Sequence, residues 1–316
     1  AGKPTSRPGK TGSFATLAKE RAHPTLSTGV PALDRVLGGG LVPGSVTLIG
    51  GEPGIGKSTL IAQAAVALAQ AGKAVLYVTG EESPAQVGRR LERLAGGPLP
   101  PGLKFLDHTE SGTIAATILE ERPALTIADS VQTLRTQGIA GEAGNPTQVR
   151  ASAATISEAA KKASLPVVFV GQVTKDGDLA GPRLLEHLVD TVLMLEGDRS
   201  QELRILRALK HRFGPADESA LFTMQETGLA ELTDPSTHFR QNRTVPVSGS
   251  AAGCTLDGGR PIACEIQALV SPAGYGIPAR RIVGLDPNRV QLLIAVLNRR
   301  AGGRLADQDV FVNTVG

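Results

Sequence analysis

Cysteine is nearly absent: Cys254 and Cys264 are the only two in 316 residues, with nine residues between them. That spacing matches no zinc-ligand pattern, and a reduced, cytoplasmic protein is the expectation. Tryptophan is missing, and there are two tyrosines and seven phenylalanines. A chain this poor in aromatics lacks the material for an extended base-stacking platform. If it binds single strands, its contacts fall mainly on phosphates through loops, with little sequence preference. No apolar run approaches the ~18 residues of a membrane span and no signal peptide is visible, so no membrane partner is expected.

What is present is ordinary for a globular protein: 41% apolar and 20% charged residues. The length allows two domains on a prior of about 150 residues each. A net charge of +3 and a pI near 9.0 lean mildly towards anionic partners.

The sharpest local signal is Gly51, Glu52, Pro53, Gly54, Ile55, Gly56, Lys57, Ser58 and Thr59. It fits G-x-x-x-x-G-K-[ST], the loop whose backbone N–H groups cradle nucleotide phosphates. Lys57 is placed to reach the β- and γ-phosphates and Ser58 to hold Mg²⁺. Before it, Ser45 to Gly50 reads as a buried parallel strand. After it, Ser58 to Gln70 reads as a helix whose N-terminus favours an anion. The rival reading is a glycine-rich turn that merely opens a helix.

Further strands point the same way. Ala74 to Gly80 is read as the second strand, ending in Glu81-Glu82-Ser83-Pro84, where Pro84 opens a helix. A carboxylate there could orient a water for attack on the γ-phosphate, or could simply decorate the helix N-terminus. Ala124 to Asp129 is read as the third strand, with Asp129 in the Walker-B position or bonded to its own turn. Thr133 to Gln148 reads as a long loop, then a helix from Val149 to Ala163 and a strand from Val167 to Gly171. Gln172 at that strand's tip could sense a γ-phosphate and signal to the loop from Lys175 to Arg183. Asp190–Glu196 and Glu202–Leu209 flank a hairpin signal at Gly197–Ser200. Lys210 and Arg212 follow, able to share one face if the strand continues, or to be solvated charges. The fold expected is α/β, one doubly wound, mostly parallel sheet, then a smaller α+β unit with strands near Pro261–Val270 and a helix from Arg289 to Arg300.

Six ordered motifs carry a family resemblance. The phosphate loop, Tyr77–Ser83, Ala128–Thr133, Val173–Gly177, Ala180–His187 and Lys210–Gly214 together resemble the bacterial RadA (Sms) family of DNA repair proteins over about residues 25 to 316. The resemblance implies a RecA-like ATPase core, a Lon-protease-like C-terminal domain and a hexameric ring. It implies an ATP- and Mg²⁺-dependent motor on single-stranded DNA that drives branch migration of recombination intermediates with the RecA recombinase. A nucleotide-controlled DNA-binding switch or mediator without translocation is the alternative. It implies further that Gly51–Thr59 and Gln172 contact ATP, that Asp129 with Ser58 holds Mg²⁺, and that Glu81 rather than Glu82 is the catalytic glutamate. Lys210, His211, Arg212, Phe213 and Gly214 occupy the family's K-N-R-F-G motif, whose cations reach a neighbour's nucleotide or DNA. Loops 133–150 and 174–183 match DNA-facing loops, making Arg135, Arg150, Lys175 and Arg183 candidate DNA contacts.

The domains expected are a basic arm (1–26), the ATPase domain (27–233), a linker (234–244) and an incomplete Lon-like domain (245–316). Three features depart from the family: His211 replaces its usual Asn, Gln172 its common His, and the four-cysteine zinc finger is missing, so no zinc is expected. Lon-type hydrolysis needs a serine with a lysine base. No lysine follows Lys210, so the last unit is expected to be non-proteolytic; its seven arginines against five acidic residues suit duplex phosphates.

Overall fold

The computed structural model describes residues 25–172, 182–197, 203–233, 247–257, 260–274 and 277–315. Most of the basic arm, Lys175, the side chain of Arg183 and the linker lie outside these residues.

Chain order begins with α1 (Pro31–Val36), β1 (Val46–Gly51), α2 (Lys57–Gln70), β2 (Val75–Thr79), α3 (Pro84–Ala95), β3 (Leu103–Leu106), α4 (Ser111–Glu121) and β4 (Leu125–Asp129). A 3₁₀ turn (Val131–Thr133) leads to α5 (Pro146–Ala163), β5 (Val167–Val170), α6 (Pro182–Leu185), β6 (Thr191–Glu196), β7 (Leu203–His211), β8 (Ser219–Gln225) and β9 (Gly228–Glu231). These nine strands form one sheet in the order β3-β2-β4-β5-β1-β6-β7-β8-β9. From β3 to β6 every pairing is parallel, and β7, β8 and β9 continue it antiparallel.

The uninterrupted apolar runs of the inner strands follow from cover on both faces. Ile49, Tyr77, Ile127 and Val168 join one core with α1, α2 and α3. Their neighbours Leu48, Val78, Ala128 and Phe169 join the other, with α4 and α5. The doubly wound sheet expected from sequence is present.

Two expectations need correction. The strand ending at Asp129 is the fourth, because β3 and α4 precede it. β3 is a short edge strand with two exposed residues, so it lacks the apolar run that marks an inner strand. The loop after the 3₁₀ turn is shorter than Thr133–Gln148, because α5 starts at Pro146. Asn145 caps that helix, its side chain accepting from Thr147 N at 3.0 Å with Pro146 in the first turn.

A second sheet of four strands has the order β10-β11-β13-β12, built from β10 (Ser250–Asp257), β11 (Arg260–Pro272), β12 (Arg280–Val283) and β13 (Gln308–Val315). α7 (Pro287–Arg300) connects the parallel pair β12 and β13. It packs on the sheet through Val290 and Ile294 against Val310.

Candidate nucleotide-binding site

The carboxyl ends of β1, β2, β4 and β5 converge, as ligand sites in open α/β sheets do. Around a cavity of about 270 Å³ they place Gly54, Gly56, Lys57, Ser58 and Thr59 after β1, Thr79 at the end of β2 with Glu81 and Glu82 beyond it, Asp129 and Ser130 at β4, and Gln172 after β5. Val87 and Arg90 of α3 and Met224 of β8 close its sides.

The loop from Gly51 to Gly56 turns tightly into α2. Gly56 is the N-cap in a left-handed conformation, φ 117°. A Cβ there would lie 2.8 Å from Met224 Cε, so both backbone angle and space require glycine. Lys57 is buried at the first position of α2, and its ammonium donates to Gly51 O at 2.8 Å and Glu52 O at 2.7 Å. Burial lowers its pKa from the ordinary lysine value, against the opposing pull of Asp129, Glu81 and Glu52.

Asp129 accepts from the Tyr77 hydroxyl at 2.7 Å through Oδ2, and Ser58 lines the same cavity beside it. Burial raises its pKa, while the bond from Tyr77, the Ser58 hydroxyl and the nearby Arg90 oppose the rise. The two adjacent glutamates differ in their partners. Glu82 forms a salt bridge with Arg90, whereas Glu81 accepts from Gln172 Nε2 at 3.1 and 3.3 Å.

The donor set fits a magnesium nucleotide. Ser58 and Asp129 offer hard oxygen ligands of the type Mg²⁺ takes. The Ser130 hydroxyl, beside them, is buried with no hydrogen-bond partner among the described residues. The first turn of α2 adds backbone N–H groups and the positive end of its dipole.

Comparison with known proteins agrees with this arrangement. A family model described as "ATPase: KaiC" matches residues 26–96, the stretch that carries the phosphate loop. The RadB recombinase crystal structure superposes with a TM-score of 0.51 at 25% identity, covering 66% of this chain and all of that one. The DNA repair protein RadA of Pseudomonas aeruginosa is 47% identical over 311 residues, 98% of this chain and 68% of the relative. The chain belongs to the RadA family. Its core is RecA-like, as the sequence motifs implied. The RadA of Bacillus subtilis is 45% identical over 294 residues, and the match spans 93% of this chain but 64% of that relative's length.

Lys210 and Arg212 are not among the residues that line the cavity. Lys210 donates to the carbonyls of Glu186 and, at 2.8 Å, Val189. Arg212 pairs with Asp190 at 3.1 Å while remaining half exposed. Asp190 is buried and also accepts from Val46 N at 3.0 Å, so both cations fasten the turn before β6 to the end of β7. His211 Nδ1 lies 3.0 Å from Thr191 Oγ1, and its ring makes an edge contact with Phe213. Burial lowers the pKa of His211. A Cβ at Gly214 would stand 3.0 Å from this ring.

Arg135 and Arg150 are exposed, on the loop after the 3₁₀ turn and on α5. The loop is pinned from inside by Gln148. That side chain accepts from Thr136 N at 2.8 Å and donates to Ile139 O at 2.6 Å and Gly141 O at 3.1 Å. Cys254 and Cys264 sit on paired strands as free thiols. Among the described residues no helix is long and apolar enough to cross a membrane.

Sequence reasoning missed Tyr77, Arg90, Ser130 and Met224 as members of the site. Tyr77 carried a signal, as a lone aromatic hydroxyl inside an aliphatic strand. Arg90 and Met224 carried none, because helix and strand packing alone bring them near.

Proposed function

We propose that this protein is a DNA-dependent ATPase of homologous recombination and DNA repair, acting as a hexameric ring on single-stranded DNA to drive branch migration. The observation that carries this reading is the gathering of Lys57, Ser58, Asp129, Glu81 and Gln172 around one cavity, within a chain of the RadA family. Lys57 and the loop amides bind the β- and γ-phosphates of ATP. Ser58 and Asp129 would hold Mg²⁺, which when bound would supply charge neutralisation at the phosphate oxygens. Glu81 orients a water and accepts its proton, since Arg90 occupies Glu82. Gln172 reads the γ-phosphate and connects it to the loop that follows β5.

The same reading divides the chain into an ATPase domain, the first sheet, and a non-proteolytic Lon-like domain, the second. It places loops 133–150 and 174–183 at DNA, with Arg135, Arg150, Lys175 and Arg183 on phosphates. Lys210 and Arg212 act across a subunit boundary, on a neighbour's nucleotide or on DNA. The partners are single-stranded DNA, branched intermediates, the RecA recombinase and further copies of the chain, in the cytoplasm.

The test is ATP turnover with and without single-stranded DNA, read beside the particle mass. DNA-stimulated turnover by a hexamer is expected; DNA-independent turnover by a monomer would overturn the reading. Unwinding of a forked substrate separates a translocating motor from a switch.

A further inference from the structure

Tyr77 is the one aromatic residue on β2, and it is 1% exposed. β2 and β4 run parallel with Tyr77 opposite Ile127 and Thr79 opposite Asp129. The ring therefore starts two residues behind Asp129, about 6.6 Å along the strand at the usual rise. A phenol spans that gap, and its hydroxyl donates to Asp129 Oδ2 at 2.7 Å. This length lies in the range of charge-assisted O–H···O⁻ bonds.

Packing accounts for the ring but not for the hydroxyl. The ring joins the core shared by β1, β4, α2 and α3, where phenylalanine would fill the same space. A buried phenol needs a hydrogen-bond partner, and here the partner is the carboxylate at the mouth of the cavity. The Tyr77 hydroxyl holds Oδ2 from below, and Ser58 stands on the cavity side of the same carboxylate. Arg90, fastened to Glu82, keeps a cation beside the pair. Hydrogen-bond partners of a metal-binding carboxylate set its orientation, and losing one commonly costs 10- to 100-fold in metal affinity.

We infer that Tyr77 is a positioning residue for the divalent cation, orienting Asp129 through its hydroxyl so that the free carboxylate oxygen faces the cavity. The inference rests on the reading of Asp129 as the residue that holds Mg²⁺.

The experiment uses the full chain and a fluorescent, non-hydrolysable ATP analogue. Binding is followed in EDTA and across a Mg²⁺ titration, for the wild type, Tyr77→Phe and Asp129→Asn. Expected for Tyr77→Phe is a Mg²⁺ midpoint about 10- to 100-fold higher, with unchanged affinity in EDTA. A midpoint within twofold of wild type, while Asp129→Asn shifts it, overturns the role of Tyr77 and leaves the site reading intact. No shift in Asp129→Asn removes the metal role of Asp129, and the inference falls with it. A second measurement keeps the Tyr77 hydroxyl in place. With Tyr275→Phe and 3-fluorotyrosine incorporation, one ¹⁹F resonance reports Tyr77. It is expected to move when Mg²⁺ joins the bound analogue; a resonance indifferent to Mg²⁺ overturns the inference.

Discussion

The side-chain amide of Gln172 donates to both carboxylate oxygens of Glu81, at 3.1 and 3.3 Å, across the gap between the ends of β5 and β2. An amide that can choose between a carboxylate and a phosphate oxygen is suited to report nucleotide at Glu81. Glu81→Gln is therefore expected to lower turnover by about 10²- to 10⁴-fold, the range of general base catalysis, with nucleotide affinity within a few fold. Glu82→Gln should act differently, by loosening Arg90 and α3, and retain most turnover. Steady-state kinetics beside equilibrium binding checks both, and equal losses in the two variants would remove Glu81 from its role.

Burial disfavours the charged form of Asp129, and its pKa is raised for that reason first. A carboxylate with a raised folded-state pKa binds more protons folded than unfolded, so its contribution to stability falls as pH rises through that window. Asp129→Asn removes the cost. In metal-free protein its melting temperature should equal or exceed that of the wild type near pH 7. The difference should narrow as pH falls towards the ordinary carboxylate value, while turnover is lost throughout. Thermal melts from pH 4 to 8 in EDTA check this; a variant clearly less stable at neutral pH would argue that the carboxylate is structural.

The phosphate loop, Asp129, Glu81 and Gln172 were legible because each stands at a strand end, where an apolar run stops and a polar residue follows. Periodicity alone exposes such boundaries. β3 and α4 were not legible: Lys104 and Phe105 are exposed on an edge strand, so β3 has no buried run to show. The resemblance favoured Glu81 over Glu82, but the ion pair that engages Glu82 was hidden, because Arg90 lies eight residues further on, on a different element. The anchoring of Lys210 and Arg212 to the turn before β6 needed the register of β6 and β7, which sequence spacing does not supply.

Lys57 is the residue whose loss should be least tolerated in function. It is buried at the start of α2, bonded to two carbonyls of its own loop. Lys57→Ala should abolish measurable turnover while the protein still folds, because the replacement is a strong helix former at a helix start. Retained turnover would remove the assignment of the phosphate loop.

Arg212 offers a test of action between subunits. Arg212 is half exposed but its partner Asp190 is buried, so Arg212→Ala should cost about 1–3 kcal/mol of stability, with Val46 N still bonded to the carboxylate. If the guanidinium reaches a neighbour's nucleotide, turnover falls by up to ~10³- to 10⁵-fold, as with arginine fingers. Mixed with Lys57→Ala subunits, the variant should then regain activity, because some interfaces pair an intact loop with an intact arginine. No rescue at any ratio would place Arg212 in its own subunit's structure or on DNA.

Gln148 makes the loop after β4 a defined surface rather than a free tether, through its bonds to Thr136, Ile139 and Gly141. Gln148→Ala leaves those backbone groups without their partner and should cost about 1–3 kcal/mol of stability. Arg135→Ala and Arg150→Ala touch no such network. If these side chains sit on phosphates, each should reduce the salt slope of single-strand binding by about 0.7, with little change in sequence preference. Binding isotherms at several salt concentrations decide it. Unchanged slopes in the arginine variants, beside weakened binding in Gln148→Ala, would mean that the loop's shape matters to DNA while its cations do not.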